Sequence, residues 1–212
     1  NTNPKAKDAL PRIRQLIFEG KNKEAQELCG PTICSPSANG MPYQTVGSLH
    51  LDFDGISNYN DYYRDLDIAK AIATTRFTTN GVTYTREAYT SFPDQVLVIR
   101  LTASQKKSIS FTAKYTTPYK SNVVRSISSR KELQLSGKAN DHEGIEGKVE
   151  FTALTRIENN GGSLEATSDS TLQVKNANSV TLYVSIGTNF VNYKDVSGNA
   201  LSTAQKYLKQ VN

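Results

Sequence analysis

The spacing of apolar residues changes period along this chain, from helical to alternating and back. Over the first ~30 residues the period is helical. Leu10, Ile13, Leu16 and Ile17 make one stripe at spacings of three and four. Asn3-Pro4 suits a first helical turn. Pro11 kinks the helix or starts its second half, and Gly20 ends it. Asn22 can cap a second short helix over residues 23–28, with Ala25 and Leu28 facing inward. Such a hairpin is too short to hold its own core, so it is expected to lie against something else. A Gly/Pro/Ser loop follows, from residue 29 to 42.

Alternation then takes over until about residue 190, as in half-buried strands. Leu49, Leu51 and Phe53 face one side and His50 and Asp52 the other. Residues 66–79 read as one long extended stretch. Ile109, Phe111, Ala113 and Tyr115 alternate, as do Leu133 and Leu135, then Val149, Phe151 and Ala153, then Val180, Leu182, Val184 and Ile186. Asn80-Gly81 is a hairpin turn, because both central residues of a type I′ turn need positive φ. Residues 82–103 read as two strands joined at Phe92-Pro93-Asp94. The second of them is apolar on both faces, with Val96 and Val98 opposite Leu97, Ile99 and Leu101. It is therefore expected to be covered on both sides. Residues 120–131 and 138–147 are the expected long loops. Ala204, Tyr207, Leu208 and Val211 return to helical spacing. Regular strands between turn residues indicate a sandwich or barrel.

Composition narrows the class. Hydrophobic residues are 37% of the 212, with no Trp, and the mean hydropathy is −0.50. That is polar but foldable, short of the signature of disorder. No run reaches the ~20 apolar residues of a membrane span. The net charge is +5. Its densest basic patch, Lys114, Lys120, Arg125, Arg130 and Lys131, comes with no RRM, KH, helix-turn-helix or zinc-finger pattern, so nucleic acid is not an expected partner. Cys29 and Cys34 have four residues between them. A small-loop disulfide and two free thiols both fit that spacing.

No metal or cofactor site is expected. Asp141-His142-Glu143 sits in a Gly-flanked loop without a partner His and reads as surface. Neither a phosphate-binding Gly-rich loop nor a nucleophile elbow occurs. Arg86 and Glu87 read as strand neighbours on opposite faces, pairing across a sheet. Asp94 reads as a turn residue.

Several segments, in order, resemble the N-terminal domain of glycoside hydrolase family 95, the α-L-fucosidase family. They are NPKAKDALPRIRQLIFEGKNKEAQEL (3–28), MPYQTVGSLHLDF (41–53), YYRDLDIAKAIATTRFTTNGVTYTREAYTSFPDQVLVIRLTA (62–103), GIEGKVEFTALTRI (144–157) and TNFVNYKD (188–195). The resemblance implies a mainly β fold, a large antiparallel super-sandwich with an N-terminal helical hairpin and a short C-terminal helix. The sandwich domain would span 1–195, with the hairpin at 1–30 and strands at 43–190. Residues 196–212 would begin a helical linker to an (α/α)₆ barrel that carries the chemistry. The family's opening strands and its I-Q-L-N-E-x-x-x-W-x-G segment do not appear, and Tyr43-Gln44-Thr45-Val46-Gly47 stands where the family has Y-Q-P-L-G.

The resemblance further implies a bacterial parent, secreted, periplasmic or at the cell surface, that removes terminal α-L-fucose or α-L-galactose by inverting hydrolysis. Its partners would be the glycan substrate and the barrel of the same protein, and a bare sheet edge would favour an edge-to-edge oligomer. A free-standing carbohydrate-binding sandwich is the alternative. No catalytic residue is assigned within these 212 positions. Tyr43, Gln44 and His50 are the candidates for sugar contact, Tyr43 by stacking and the other two by hydrogen bonding.

Overall fold

The computed structural model of the chain describes residues 3–35, 41–56, 58–120, 123–129 and 131–211. The chain divides into two compact units, Asn1–Tyr43 with Asp141–Gly147, and Gln44–Asn140 with Lys148–Asn212.

The first unit holds α1 (Ala6–Phe18) and α2 (Asn22–Thr32). Ile13, Leu16 and Ala25 are buried between them, with Ala9, Leu28 and Cys29 at the margin. Gly20 stops α1 at φ +74°. Gly20 N–H donates to Ile17 O and Lys21 N–H to Leu16 O, the paired bonds of a Schellman cap. The second helix is longer than its expected span of 23–28, and Asn22 is its first residue rather than its cap. It continues through Gly30 and Pro31 because Asn3, buried and remote in sequence, finishes its last turn. The Asn3 carboxamide donates to Pro31 O at 3.0 Å and to Cys34 O at 2.8 Å. Both cysteines are free thiols.

The second unit is mainly β, two antiparallel sheets and a C-terminal helix. The four-stranded sheet runs in the order β1 (Ser48–Asp52), β6 (Ile109–Thr116), β11 (Thr171–Ala177), β10 (Ser163–Ser168). The eight-stranded sheet runs β2 (Asn60–Asp67), β3 (Ile72–Thr79), β4 (Val82–Ser91), β5 (Val96–Ala103), β12 (Ser179–Thr188), β9 (Glu150–Asn160), β8 (Glu132–Lys138), β7 (Val123–Ser129). One core lies between them, built from the alternating positions of both sheets: Phe111, Leu133, Leu135, Ile157, Leu172 and Leu182 are all fully enclosed. Tyr115 of β6 crosses the core to Thr155 of β9, oxygen to oxygen at 2.5 Å.

Asn80 and Gly81 both take positive φ, and the β3–β4 hairpin closes on Thr79↔Val82. In β5, Leu101 faces the core while Val96 and Val98 face away, and all three are buried. Val98 stands in register between Tyr89 of β4 and Tyr183 of β12. α3 (Ala200–Gln210) packs Ala204 and Leu208 onto Leu154 and Tyr183, on the outer face of β9 and β12.

Two expectations fail here. Residues 66–79 are not one strand. They turn between β2 and β3, where Asp67 Oδ1 accepts the N–H groups of Ala69 and Lys70 at 3.0 Å each and Ala71 takes φ +55°. Nor is 120–131 a loop, since Val123–Ser129 is the edge strand β7, paired with β8. Val123 and Ile127 pack on the core while Arg125 between them is exposed, which hides the alternation.

Candidate functional site

Of the residues expected at a sugar site, Tyr43 and Gln44 are consecutive at the boundary of the two units, and His50 lies on β1. Tyr43 belongs to the first unit and is 93% exposed. Gln44 belongs to the second, half-buried in the extended run before β1. His50 is on the outward face of β1, with Nε2 2.8 Å from Thr116 Oγ1. It stands opposite Lys114, whose ammonium lies 2.6 Å from Asp52 Oδ2. This is a solvated polar strip on the outside of the four-stranded sheet. The basic patch seen in sequence disperses, since Lys114 lies on β6 and Arg125 on β7, in different sheets. Arg130 lies outside the described residues.

The carboxylates that are shifted are shifted downward. Lys114 holds Asp52 below its ordinary value. The Lys70 backbone N–H and ammonium lower Asp67. Ser197 lowers Asp195 through its hydroxyl and its N–H, and Lys21 with Gln15 lowers Glu19. A general acid working near neutrality needs the opposite shift. Asp141 accepts from Gly147 N–H at 2.9 Å. His142 and Ile145 exchange backbone bonds around Glu143 and Gly144, so the Asp-His-Glu run is a tight turn. Asp94 is likewise a turn residue, accepting from the Ser91 hydroxyl. Among the described residues, no group of three or more His, Cys, Asp and Glu is placed to hold a metal, and no helix is long and apolar enough to cross a membrane.

One constellation was missed in the sequence. Arg86 and Glu87 do point to opposite faces of β4, but Arg86 pairs with no acid among the described residues. Its guanidinium carbon lies 4.3 Å from the Phe53 ring centre and 5.1 Å from that of Phe77. Phe77 stacks on Tyr84 and meets Tyr59 edge-on. Burial pulls the Arg86 pKa down, though a guanidinium stays cationic. Arg64, Thr75 and Arg86 are successive cross-strand neighbours, and with Tyr59, Tyr62 and Phe77 they line a recess of about 280 Å³. The signal was there to count. A two-residue turn at Asn80-Gly81 sets Phe77 opposite Tyr84 and Thr75 opposite Arg86.

Comparison with known proteins places this architecture. The sequence profile described as "Glycosyl hydrolase family 65, N-terminal domain" matches residues 1–193. "Alpha-L-fucosidase 2" of Arabidopsis thaliana is 29% identical over 215 aligned residues, covering 89% of this chain and 24% of the plant protein. "Probable alpha-fucosidase A" of Aspergillus oryzae is 25% identical, covering 90% of this chain and 25% of the fungal one. The chain thus spans about a quarter of the length of these two relatives. A solved structure described as "Putative kojibiose phosphorylase from human microbiome" overlays 71% of this chain and 21% of its own, with a TM-score of 0.38 and 17% identity. With a profile match running through both helices of the hairpin and every strand of the two sheets, the chain belongs to the glycosyl hydrolase family 65 N-terminal domain family.

Proposed function

We propose that this chain is the supporting sandwich domain of a family 95-like α-L-fucosidase, which releases terminal α-L-fucose, or α-L-galactose, with inversion. The observation that carries this reading is the alignment with the Arabidopsis fucosidase over 89% of the chain. The lowered carboxylates agree with a supporting role, since an inverting hydrolase needs one carboxyl kept protonated and a second that activates water.

In this reading the chemistry belongs to a helical barrel elsewhere in the parent protein, and the sandwich holds that barrel and borders the glycan. Exposed apolar groups at one end of the eight-stranded sheet, Phe92 at 86% and Ile186 at 48%, suit a domain contact. Tyr43 supplies an unencumbered ring for sugar stacking, while Gln44 and His50 supply hydrogen bonds.

The test is fucose release from an α-L-fucosylated oligosaccharide by the full-length protein, followed by proton NMR. β-L-Fucose is expected as the first anomer, and these 212 residues alone should release none. Release of a sugar 1-phosphate that depends on phosphate, or α-L-fucose as the first product, would sink the proposal.

A further inference from the structure

We infer that a recess on the outer face of β4, β5 and β12 is a sugar subsite, one that takes a single pyranose ring with equatorial hydroxyls, as in a β-glucosyl or β-xylosyl unit of a glycan. This stands apart from the hydrolase reading and is tested without any activity.

The recess is a product of register. Tyr89 and Tyr183 flank Val98 on the neighbouring strands, so all three point the same way, away from the core. Strands ~4.8 Å apart set the two tyrosines roughly 10 Å from one another. Val98 between them is short and buried, which leaves a gap with an apolar floor. Ile72 of β3 adds to that lining beyond Tyr89. Two positions along the strands, on the same face, runs the polar row Glu87↔Arg100↔Thr181. Together these side chains line a space of about 200 Å³. Clefts for drug-sized molecules hold roughly 300–1,000 Å³, so this one fits a single small ring.

The polar groups around it are unspent. Opposite charges side by side on adjacent strands ordinarily pair, yet Glu87 and Arg100 form no ion pair among the described residues. The hydroxyls of Thr181, Tyr89 and Tyr183 likewise hydrogen-bond to none of them. On the β9 side the Tyr183 ring is already held, with the Arg156 guanidinium carbon 5.1 Å from its centre and Leu208 of α3 packed near it. Its opposite side is the wall of the recess.

These features choose the ligand. One acid and one base cancel, which favours a neutral molecule. Water satisfies such groups singly in the free protein, whereas a polyol satisfies several at once. A tyrosine on either side asks for C–H groups on both faces of the guest, and the polar row asks for hydroxyls at its rim. A pyranose whose hydroxyls are all equatorial has that arrangement. An axial hydroxyl would press a polar group against one aromatic wall and leave it unpaired.

The test is tyrosine nitration by tetranitromethane in the full-length protein, read by peptide mapping. Methyl β-D-glucopyranoside is added at roughly 50 mM, above the millimolar Kd of a single-ring ligand. Nitration of Tyr89, 40% exposed, should fall at least about threefold while that of Tyr193, 84% exposed, stays unchanged. Methyl β-D-galactopyranoside, with its axial 4-hydroxyl, should need about tenfold more sugar for the same protection, the scale of one hydrogen bond left unmade. Glu87→Leu and Arg100→Met should each weaken protection by the glucoside about tenfold with thermal unfolding unchanged. The inference is overturned by equal nitration of Tyr89 with and without the glucoside, by a fall that Tyr193 shares, by equal protection from the two sugars, or by full protection in both variants.

Discussion

Tyr115 concentrates the chemistry of the core in one hydroxyl. It is buried, it meets Thr155 between the sheets, and burial pushes its pKa up to about 12. An exposed tyrosine titrates near ~10. The folded value is the higher, so the stabilisation is complete below pH ~10 and is lost as pH rises through about 12. Denaturant unfolding across that window should show a fall on the order of 3 kcal/mol. Tyr115→Phe should abolish the fall and cost about 1 to 3 kcal/mol at pH 7, because Thr155 keeps a buried hydroxyl without its partner. Parallel pH profiles for the two proteins would remove Tyr115 from the alkaline transition. That Tyr115 faces the core was legible from its alternation with Ile109, Phe111 and Ala113. Its partner was not, because nothing local to either residue says which strand of the opposite sheet will face it. Arg86 lies between these cases. Its row follows by counting back from Asn80-Gly81, but that no acid among the described residues pairs with it follows only from the folded surroundings.

At the scale of elements, α3 depends on a close approach of backbones. A Cβ added at Gly187 of β12 would lie 2.3 Å from Ala200 O and 2.7 Å from Ala204 N. Gly187→Ala should therefore lift the helix off the sheet, costing ~1–3 kcal/mol as overpacking does. It should also release Arg156, which donates to Leu208 O at 3.2 Å and to Val211 O at 2.8 Å. Faster proteolysis within residues 197–211 is the readout, and unchanged cleavage would mean that the helix tolerates the shift. Asn199 accepts from Ser202 N–H at 2.8 Å as the N-cap, so Asn199→Ala should lower thermal stability by about 1 kcal/mol. Helical spacing in residues 202–211 revealed α3. The start at Ala200 went unseen because the cap, not the stripe, sets it. The turn after β2 stayed hidden for a similar reason. It contains neither Gly nor Pro, and Asp67 makes it with one carboxylate oxygen. Elements marked by a period were readable, and those decided by one side-chain bond or by a distant strand were not. The same rule explains why Asn3 could be read as preceding α1 but not as completing α2.

For the molecule as a whole, the two units differ sharply in what encloses them. The sandwich shares one core across both sheets, from Leu101 of β5 through Phe111 of β6 to Leu172 of β11 and Leu182 of β12. The hairpin encloses Ile13, Leu16 and Ala25. Burying its two large residues supplies roughly 3–6 kcal/mol, whereas the sandwich encloses many more side chains of that size within a hydrogen-bonded network of strands. Regions with few enclosed apolar groups open at lower free energy than the global transition. The hairpin also hangs on one polar residue, since the Asn3 carboxamide ties the chain before α1 to the end of α2. Native-state hydrogen exchange should therefore resolve two steps. The amides of α1 and α2 should exchange at least ~100-fold faster than those of β9 and β12, with a weaker dependence on denaturant. Asn3→Ala should widen the gap by speeding the helices alone. If the amides of Ile13 and Leu16 exchange in step with those of Leu154 and Leu182, and Asn3→Ala slows or speeds both sets together, the units unfold as one and the division is geometric rather than energetic.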